Sequence, residues 1–337
     1  MLHFPFENPP DATLIEIAPD IHWMRLPIPF VLTHVNIYLM RDEDGWLAVD
    51  TGCFLPDTRK VWTNLVERLD GPLRRILLTH FHVDHAGTAG WLQREFGCEV
   101  LISPSELSAL WKSGDQPDQA KRAVYRSHLL RMGCSASEAE EMAEAEWEPA
   151  RLLSPPPDRT TALIAGRTLK IGRREWRLLT GNGHSPAAIM PWCEEEKLLI
   201  SGDQILPKIS PFIGVSFHNL RSDPLSDYVA SLKAAVGNVA PDAFVMPGHG
   251  QPFIGALERL GELIVHHENR NGLIMAACRE DWHTPRALIP RVFTRNLEGV
   301  MGMALAETLA HVNNLIGAGK LQQKLEGGVL RLRATGT

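Results

Sequence analysis

Between Thr79 and Gly87 the chain reads Thr-His-Phe-His-Val-Asp-His-Ala-Gly, placing three imidazoles (His80, His82, His85) and one carboxylate (Asp84) within six residues. Imidazole nitrogen and carboxylate oxygen suit zinc, and also tolerate iron or manganese. The segment follows a run that reads as a strand. Alternation along that strand would turn His80 and His82 the same way, leaving Asp84 and His85 on the next turn to face a neighbouring position. Two adjacent cations need more donors than one loop offers. His184 in Gly183-His184-Ser185-Pro186, Asp203 in Ser201-Gly202-Asp203 and His249 in Pro247-Gly248-His249-Gly250 supply them, each at a predicted strand end. A single histidine is ordinarily a core or surface residue, but that does not account for the whole ordered set. Two cations sharing a water lower its pKa from near 16 toward roughly 7, giving hydroxide at neutral pH for attack on a carbonyl or phosphoryl centre. Asp84 and Asp203 are the candidate catalytic carboxylates, orienting the nucleophile and passing a proton to the leaving group. Asp50, in Asp50-Thr51-Gly52, either accepts a hydrogen bond from a ligand imidazole and so fixes its tautomer, or caps its own turn.

Such donors need strands that end close together. Strands are expected at Ile15–Ile17, Ile21–Leu26, Val35–Met40 and Trp46–Val49, the last two joined as a hairpin through Arg41–Gly45. Val61, Leu65 and Leu69 give Thr58–Leu69 helical spacing; strand Arg75–Leu78, helix Gly87–Phe96 and strand Glu99–Ile102 follow. Residues from about Pro104 to Trp147 read as an inserted helical segment with a Ser135–Glu138 capping box, its apolar faces including Leu107, Trp111, Tyr125 and Leu129. A lid or a homodimer contact is the use expected of it. Strands return at Thr168–Ile171, Trp176–Thr180, Ala188–Trp192, Leu198–Ser201 and Ala243–Met246, with helix Leu225–Val236 before the last. From Leu257 onward, helices at Leu257–Cys278, Pro285–Phe293 and Met301–Ala318 precede a hairpin turned by Gly327-Gly328, an order that suggests a winged helix. The expected division is therefore 1–256 for the catalytic domain and 257–337 for a winged-helix-like domain. The class is α/β, with two sheets face to face and helices outside.

His-x-His-x-Asp-His followed in order by Gly-His, Gly-Asp and Gly-His-Gly resembles the signature of the metallo-β-lactamase superfamily. The resemblance covers roughly Val35 to Pro252 and takes in Asn36-Ile37-Tyr38-Leu39 and Asp50-Thr51-Gly52. It implies an αββα sandwich holding two divalent metal ions at one edge, zinc first and iron or manganese as alternatives. Carried over by position, His80, His82 and His184 would hold one metal, Asp84, His85 and His249 the other, with Asp203 bridging. A mononuclear site is the competing expectation. Ala187 departs from the Gly that many relatives carry after the proline, and puts only local loop geometry in doubt. His82 disfavours the flavodiiron variant, which has Glu there.

Superfamily members cleave β-lactams, thioesters, lactones and phosphodiesters, so the fold does not name the substrate. The leading reading is a carboxylic ester or thioester hydrolase similar to glyoxalase II or to lactonases. The runner-up is a phosphodiesterase or endoribonuclease with a winged-helix accessory domain. A nonenzymatic nucleic-acid-binding regulator ranks last, because it leaves the metal set unexplained. The net charge of −6 does not favour nucleic acid as a partner. Nor do residues 258–337, where ten Lys and Arg meet eight Asp and Glu. The five scattered cysteines form no close pair, so neither a disulfide framework nor a sulfur-rich zinc site is expected. With no leader and no membrane-spanning stretch legible, the expectation is a cytoplasmic enzyme acting on a small molecule. Of the nine remaining histidines (His3, His22, His34, His128, His218, His266, His267, His283 and His311) most are expected at the surface. His218 and Arg221 are the candidate substrate contacts.

Overall fold

A computed structural model describes residues 1–114, 119–294, 297 and 299–336; positions 115–118 of the expected insertion lie outside the described residues. The chain divides into two compact units. The first comprises Met1–Asp115, Pro149–Pro211 and Ser231–Leu260, and the second Gln116–Glu148, Phe212–Ala230 and Gly261–Thr337.

The first unit contains two sheets. One runs in chain order through β1 (Ile15–Ala18), β2 (Ile21–Pro27), β3 (His34–Asp42), β4 (Gly45–Val49), β5 (Leu73–Leu77), β6 (Glu99–Ile102) and β7 (Thr160–Ala162). Pairing is antiparallel from β1 to β4 and parallel from β4 to β7. The other comprises β8 (Thr168–Ile171), β9 (Arg174–Gly181), β10 (Ala188–Cys193), β11 (Leu198–Gly202), β12 (Phe244–Pro247) and β13 (Phe253–Ile254), again in chain order, with only β11 and β12 parallel.

Strand alternation sorts the apolar side chains of the first sheet onto two faces. Trp23, Tyr38, Leu47 and Val49 pack with Trp176, Leu178, Ile200 and Met246 of the second sheet. Their neighbours Met24, Ile37, Leu39 and Ala48 turn the other way, against Trp62 and Leu92 of helices Pro56–Arg68 and Ala89–Phe96. Burial on both faces explains why Gly45–Val49 is buried throughout and reads as an unbroken apolar run. Removing one of the enclosed tryptophan rings would cost about 3–5 kcal/mol. The outcome is an α/β sandwich of the expected class. Strand β7, short and polar after three prolines, was not anticipated.

Within the second unit, helices Gln119–Arg131 and Ala136–Ala145 are present, the latter with the anticipated capping box. Helix Pro285–Val292 starts with Thr284 accepting from the Ala287 N–H and a proline in its first turn. Helix Met301–Gly317 leads into the hairpin β14 (Leu321–Glu326) and β15 (Val329–Ala334). Gly327 (φ 57°) and Gly328 (φ 80°) form its two-residue turn, which needs positive φ at both positions. No helix among the described residues is long and apolar enough to cross a membrane.

Two expectations about side chains are corrected. Trp111 is 55 % exposed rather than packed on an apolar face, while Tyr125 is buried as expected. The nine histidines are not mostly at the surface: only His3 and His218 are exposed, and His267 and His311 are each 1 % exposed.

Candidate metal centre

The predicted donors all follow strand ends of the first unit. His80, His82, Asp84 and His85 come after β5, His184 lies between β9 and β10, Asp203 follows β11 and His249 follows β12. Strand β5 stops at Leu77, so alternation along a strand is not what brings His80 and His82 together. Asp50, just past β4 and held at φ 59°, accepts hydrogen bonds from the Thr79 N–H and Oγ1, both at 2.8 Å, and draws the chain out of the ladder. Asp and Asn tolerate that left-handed backbone better than other non-glycine residues. His82 then precedes the short helix Val83–Ala86, which carries Asp84 and His85.

The seven side chains converge in two groups. His80 Nε2 lies 3.0 Å from His82 Nδ1 and 3.2 Å from His184 Nε2. His249 Nε2 lies 3.2 Å from Asp84 Oδ2, and His85 Nε2 is 3.7 Å from the same oxygen. Asp203 touches both groups: Oδ2 is 3.7 Å from His184 Nε2 and 3.3 Å from His249 Nε2, while Oδ1 is 3.4 Å from His85 Nε2.

Hydrogen bonds behind the rings settle where their protons sit. The Thr79 hydroxyl donates to Asp50, so its oxygen accepts from His80 Nδ1 at 3.0 Å. His85 Nδ1 donates to Asp50 Oδ2 at 2.8 Å, and His249 Nδ1 donates to the His34 carbonyl at 2.6 Å. All three therefore turn Nε2 to the cluster, and in its neutral form each ring would present a lone pair there to a cation. His85 Nε2 and Asp203 Oδ1 are buried with no hydrogen-bond partner. Imidazole nitrogens and carboxylate oxygens converging on one buried point are a donor set that a cation would satisfy in place of protons. Two donors about 2.0–2.1 Å from one tetrahedral zinc stand about 3.3 Å apart, which the observed separations match.

The electrostatics run the same way. Burial, with His85, His82 and His184 nearby, pushes the His80 pKa well below the usual range, and burial with His184 takes His82 to about 3. Burial also opposes charge on Asp203 and Asp84. His249 and His85 nonetheless hold Asp203 well below the usual carboxylate range, and the same two imidazoles take Asp84 to about 2. The matching effect of the carboxylates overrides burial to raise His85 well above its usual value and His249 to about 10. Two buried anions thus demand positive charge at this spot.

Residues 31–249 match the family described as the Metallo-beta-lactamase superfamily, and residues 272–335 match its Metallo-beta-lactamase-like, C-terminal domain. The chain belongs to the metallo-beta-lactamase superfamily. A beta-lactamase domain protein from Burkholderia ambifaria superposes with a TM-score of 0.87 at 33 % identity, over 99 % of each chain. The chain is also similar to a probable metallo-hydrolase, YqjP, of Bacillus subtilis, at 25 % identity over 88 % of this chain and 92 % of that one. A further relative is the acyl-coenzyme A thioesterase MBLAC2 of Gallus gallus, at 28 % identity over 76 % of this chain and 86 % of that one. The resemblance legible between Val35 and Pro252 therefore holds at the level of the superfamily and its sandwich fold.

Several residues that steady this superfamily cluster are not among the predicted ligands, and the sequence did not reveal what they do. Glu106, on helix Pro104–Ser113, is fully buried. Its Oε2 accepts from the Phe81 N–H at 2.9 Å, between His80 and His82. Its Oε1 accepts from Ser185 Oγ at 2.7 Å and the Ala187 N–H at 2.6 Å, just beyond His184. Burial raises its pKa above the usual value, against the pull of these three donors. One carboxylate therefore ties together the two loops that carry the three-histidine group. In the sequence, Ser103-Pro104-Ser105-Glu106 reads as an ordinary helix start with a glutamate turned to its own cap, which hid this role. Glu106→Gln has one oxygen where two are needed, and its amide group would confront an N–H. It is expected to weaken zinc retention about 10–100-fold, read by elemental analysis after dialysis against a competing chelator. Retention equal to wild type would remove Glu106 from the site.

The loop carrying His249 has its own clamp. Asn36 Nδ2 donates to the carbonyls of Pro247 (2.8 Å) and Gly250 (2.7 Å), and Tyr38 Oη donates to Pro247 O at 2.7 Å. His34, whose pKa burial and Arg25 lower to about 4, accepts from the Gly250 N–H at 3.2 Å. Among the predicted contacts, Asp50 reaches His85 directly, whereas His218 and Arg221 are exposed residues of the second unit and are not among the converging groups.

Proposed function

We propose that the chain is a binuclear metal-dependent hydrolase acting on carboxylic thioesters or esters of small molecules, working as a cytoplasmic enzyme. The observation that carries this reading is the pair of donor groups joined by Asp203, with the Nε2 atoms of His80, His85 and His249 turned into it. In this reading His80, His82 and His184 hold one divalent cation and Asp84, His85 and His249 the other, with Asp203 reaching both. Zinc suits the nitrogen-rich set best. When bound, such cations supply an acidified water and polarisation of the scissile carbonyl.

The remaining steps belong to the chain. Asp84 and Asp203 accept a hydrogen bond from the attacking water and fix its approach to the carbonyl carbon. As the oxygen–carbon bond forms and the carbon–sulfur bond breaks, one of these carboxylates carries the water's proton to the departing thiolate. Asp50 keeps His85 in the tautomer the site needs. Likeness to an acyl-coenzyme A thioesterase supports the thioester over other superfamily substrates, and the chain's net charge of −6 supports it over a nucleic acid. The helix, helix, hairpin order of residues 285–334 keeps a winged-helix-like packing module in the proposal.

The test is a panel of acyl-coenzyme A thioesters, simple esters, lactones and a phosphodiester, assayed with and without chelator. Chelator-sensitive turnover of thioesters is expected. Turnover confined to the phosphodiester would replace this substrate class, and turnover indifferent to chelator and metal would overturn the mechanism.

A further inference from the structure

A different set of donors meets inside the second unit. His267 lies on helix Ala256–Ala277, and Glu307 and His311 lie one turn apart on helix Met301–Gly317. They are 1 %, 7 % and 1 % exposed. One ligand atom from each lies within 4.8 Å of the others, and His267 Nδ1 is 3.4 Å from His311 Nε2.

A chain of hydrogen bonds fixes which way the His311 lone pair points. Asp223 can only accept, and it receives the Ser226 hydroxyl at 2.7 Å and Asn314 Nδ2 at 3.4 Å. The Ser226 oxygen also accepts from Asn314 Nδ2, at 2.9 Å. Asn314 Oδ1 must then be the acceptor for Asn271 Nδ2, at 2.9 Å. Asn271 Oδ1 in turn accepts from His311 Nδ1, at 2.8 Å. The His311 proton is therefore on Nδ1, and Nε2 offers its lone pair toward His267. An amide oxygen behind the ring is the usual means of orienting a ligand histidine.

We propose that His267, Glu307 and His311 form a structural site for a divalent transition cation of the zinc class, sharing no residue with the seven-residue cluster. Two imidazoles and one carboxylate are a recognised donor set for zinc. Their placement on facing helices, two of them on successive turns of one helix, is how helical bundles build metal sites. The nitrogen separation of 3.4 Å is long for a hydrogen bond but matches the roughly 3.3 Å between two ligands of one tetrahedral zinc. It is Nδ1 of His267 that faces the His311 lone pair, so an ion bound there leaves the ring proton on Nε2, on the far side of the ring. Arg270 binds the Glu307 carboxylate and holds it in place, but as a donor it cannot occupy the His311 lone pair. The ion would cross-link the two helices.

The experiment compares full-length wild type, His311→Gln and Glu307→Gln. Each is stripped with chelator, reloaded with zinc, desalted and assayed for zinc per chain. Because the reading is a difference, it is independent of how many ions the seven-residue cluster holds. Both variants are expected to retain a full zinc equivalent less than wild type, with turnover unchanged and a smaller zinc-induced rise in thermal midpoint. Equal zinc in all three proteins would overturn the site. Should His311→Gln fail to fold, Glu307→Gln, which preserves side-chain size, gives the same reading alone.

Discussion

Asp203→Ala is expected to abolish turnover. This carboxylate touches both donor groups, reaching His184, His249 and His85 at 3.7, 3.3 and 3.4 Å. Its loss removes the shared anion and, in the proposed mechanism, one of the two groups that hold the attacking water. Metal-assisted polarisation and water activation are worth several kcal/mol in the transition state, and 1.36 kcal/mol is a decade in rate, so a loss on the order of a thousandfold or more follows. Asp203→Asn separates charge from shape. It keeps the volume but not the anion, and is expected to lose nearly as much. Initial rates should be measured beside zinc content and circular dichroism. A folded Asp203→Ala protein with undiminished rate would contradict the assignment of the centre.

Gly248→Ala is expected to lower kcat about a hundredfold, the effect of misplacing a reacting group by about 1 Å. A Cβ at Gly248 would stand 2.7 Å from His85 Cε1 and nearer still to Asp203 Oδ1. The loop cannot retreat, because the Gly248 N–H donates to Gly202 O at 2.8 Å and its carbonyl accepts from the Asn36 N–H at 2.7 Å. Asp203 and His85 would have to give way instead, and both belong to the cluster. Kinetics at saturating zinc check this, since added metal cannot undo a steric displacement. Full activity would mean that Asp203 has freedom to move that its packing does not suggest.

The donors were legible in the sequence because their types and their glycine neighbours are local facts. What holds them was not. Glu106 works on Phe81, Ser185 and Ala187, and Asn36 works on Pro247 and Gly250, across separations that no window of residues spans. The long strands were recoverable from alternation and apolar runs, but Thr160–Ala162 is too short and polar to announce itself. The end of β5 was misjudged for a related reason. Nothing local to Leu78 and Thr79 marks the stop, which depends on Asp50 capturing Thr79 from another strand end. Histidine counts likewise say nothing of depth, and His267 and His311 proved to be interior residues.

The outermost strands β1, β7, β8 and β13 have four, three, four and two residues, whereas β3 has nine. A strand border so short gives an incoming chain few consecutive amides on which to extend a ladder, and β13 is further occupied by the His3–Ile254 bridge. The sandwich can therefore keep long, apolar interior strands without offering a template for fibrous aggregation, even in a crowded solution.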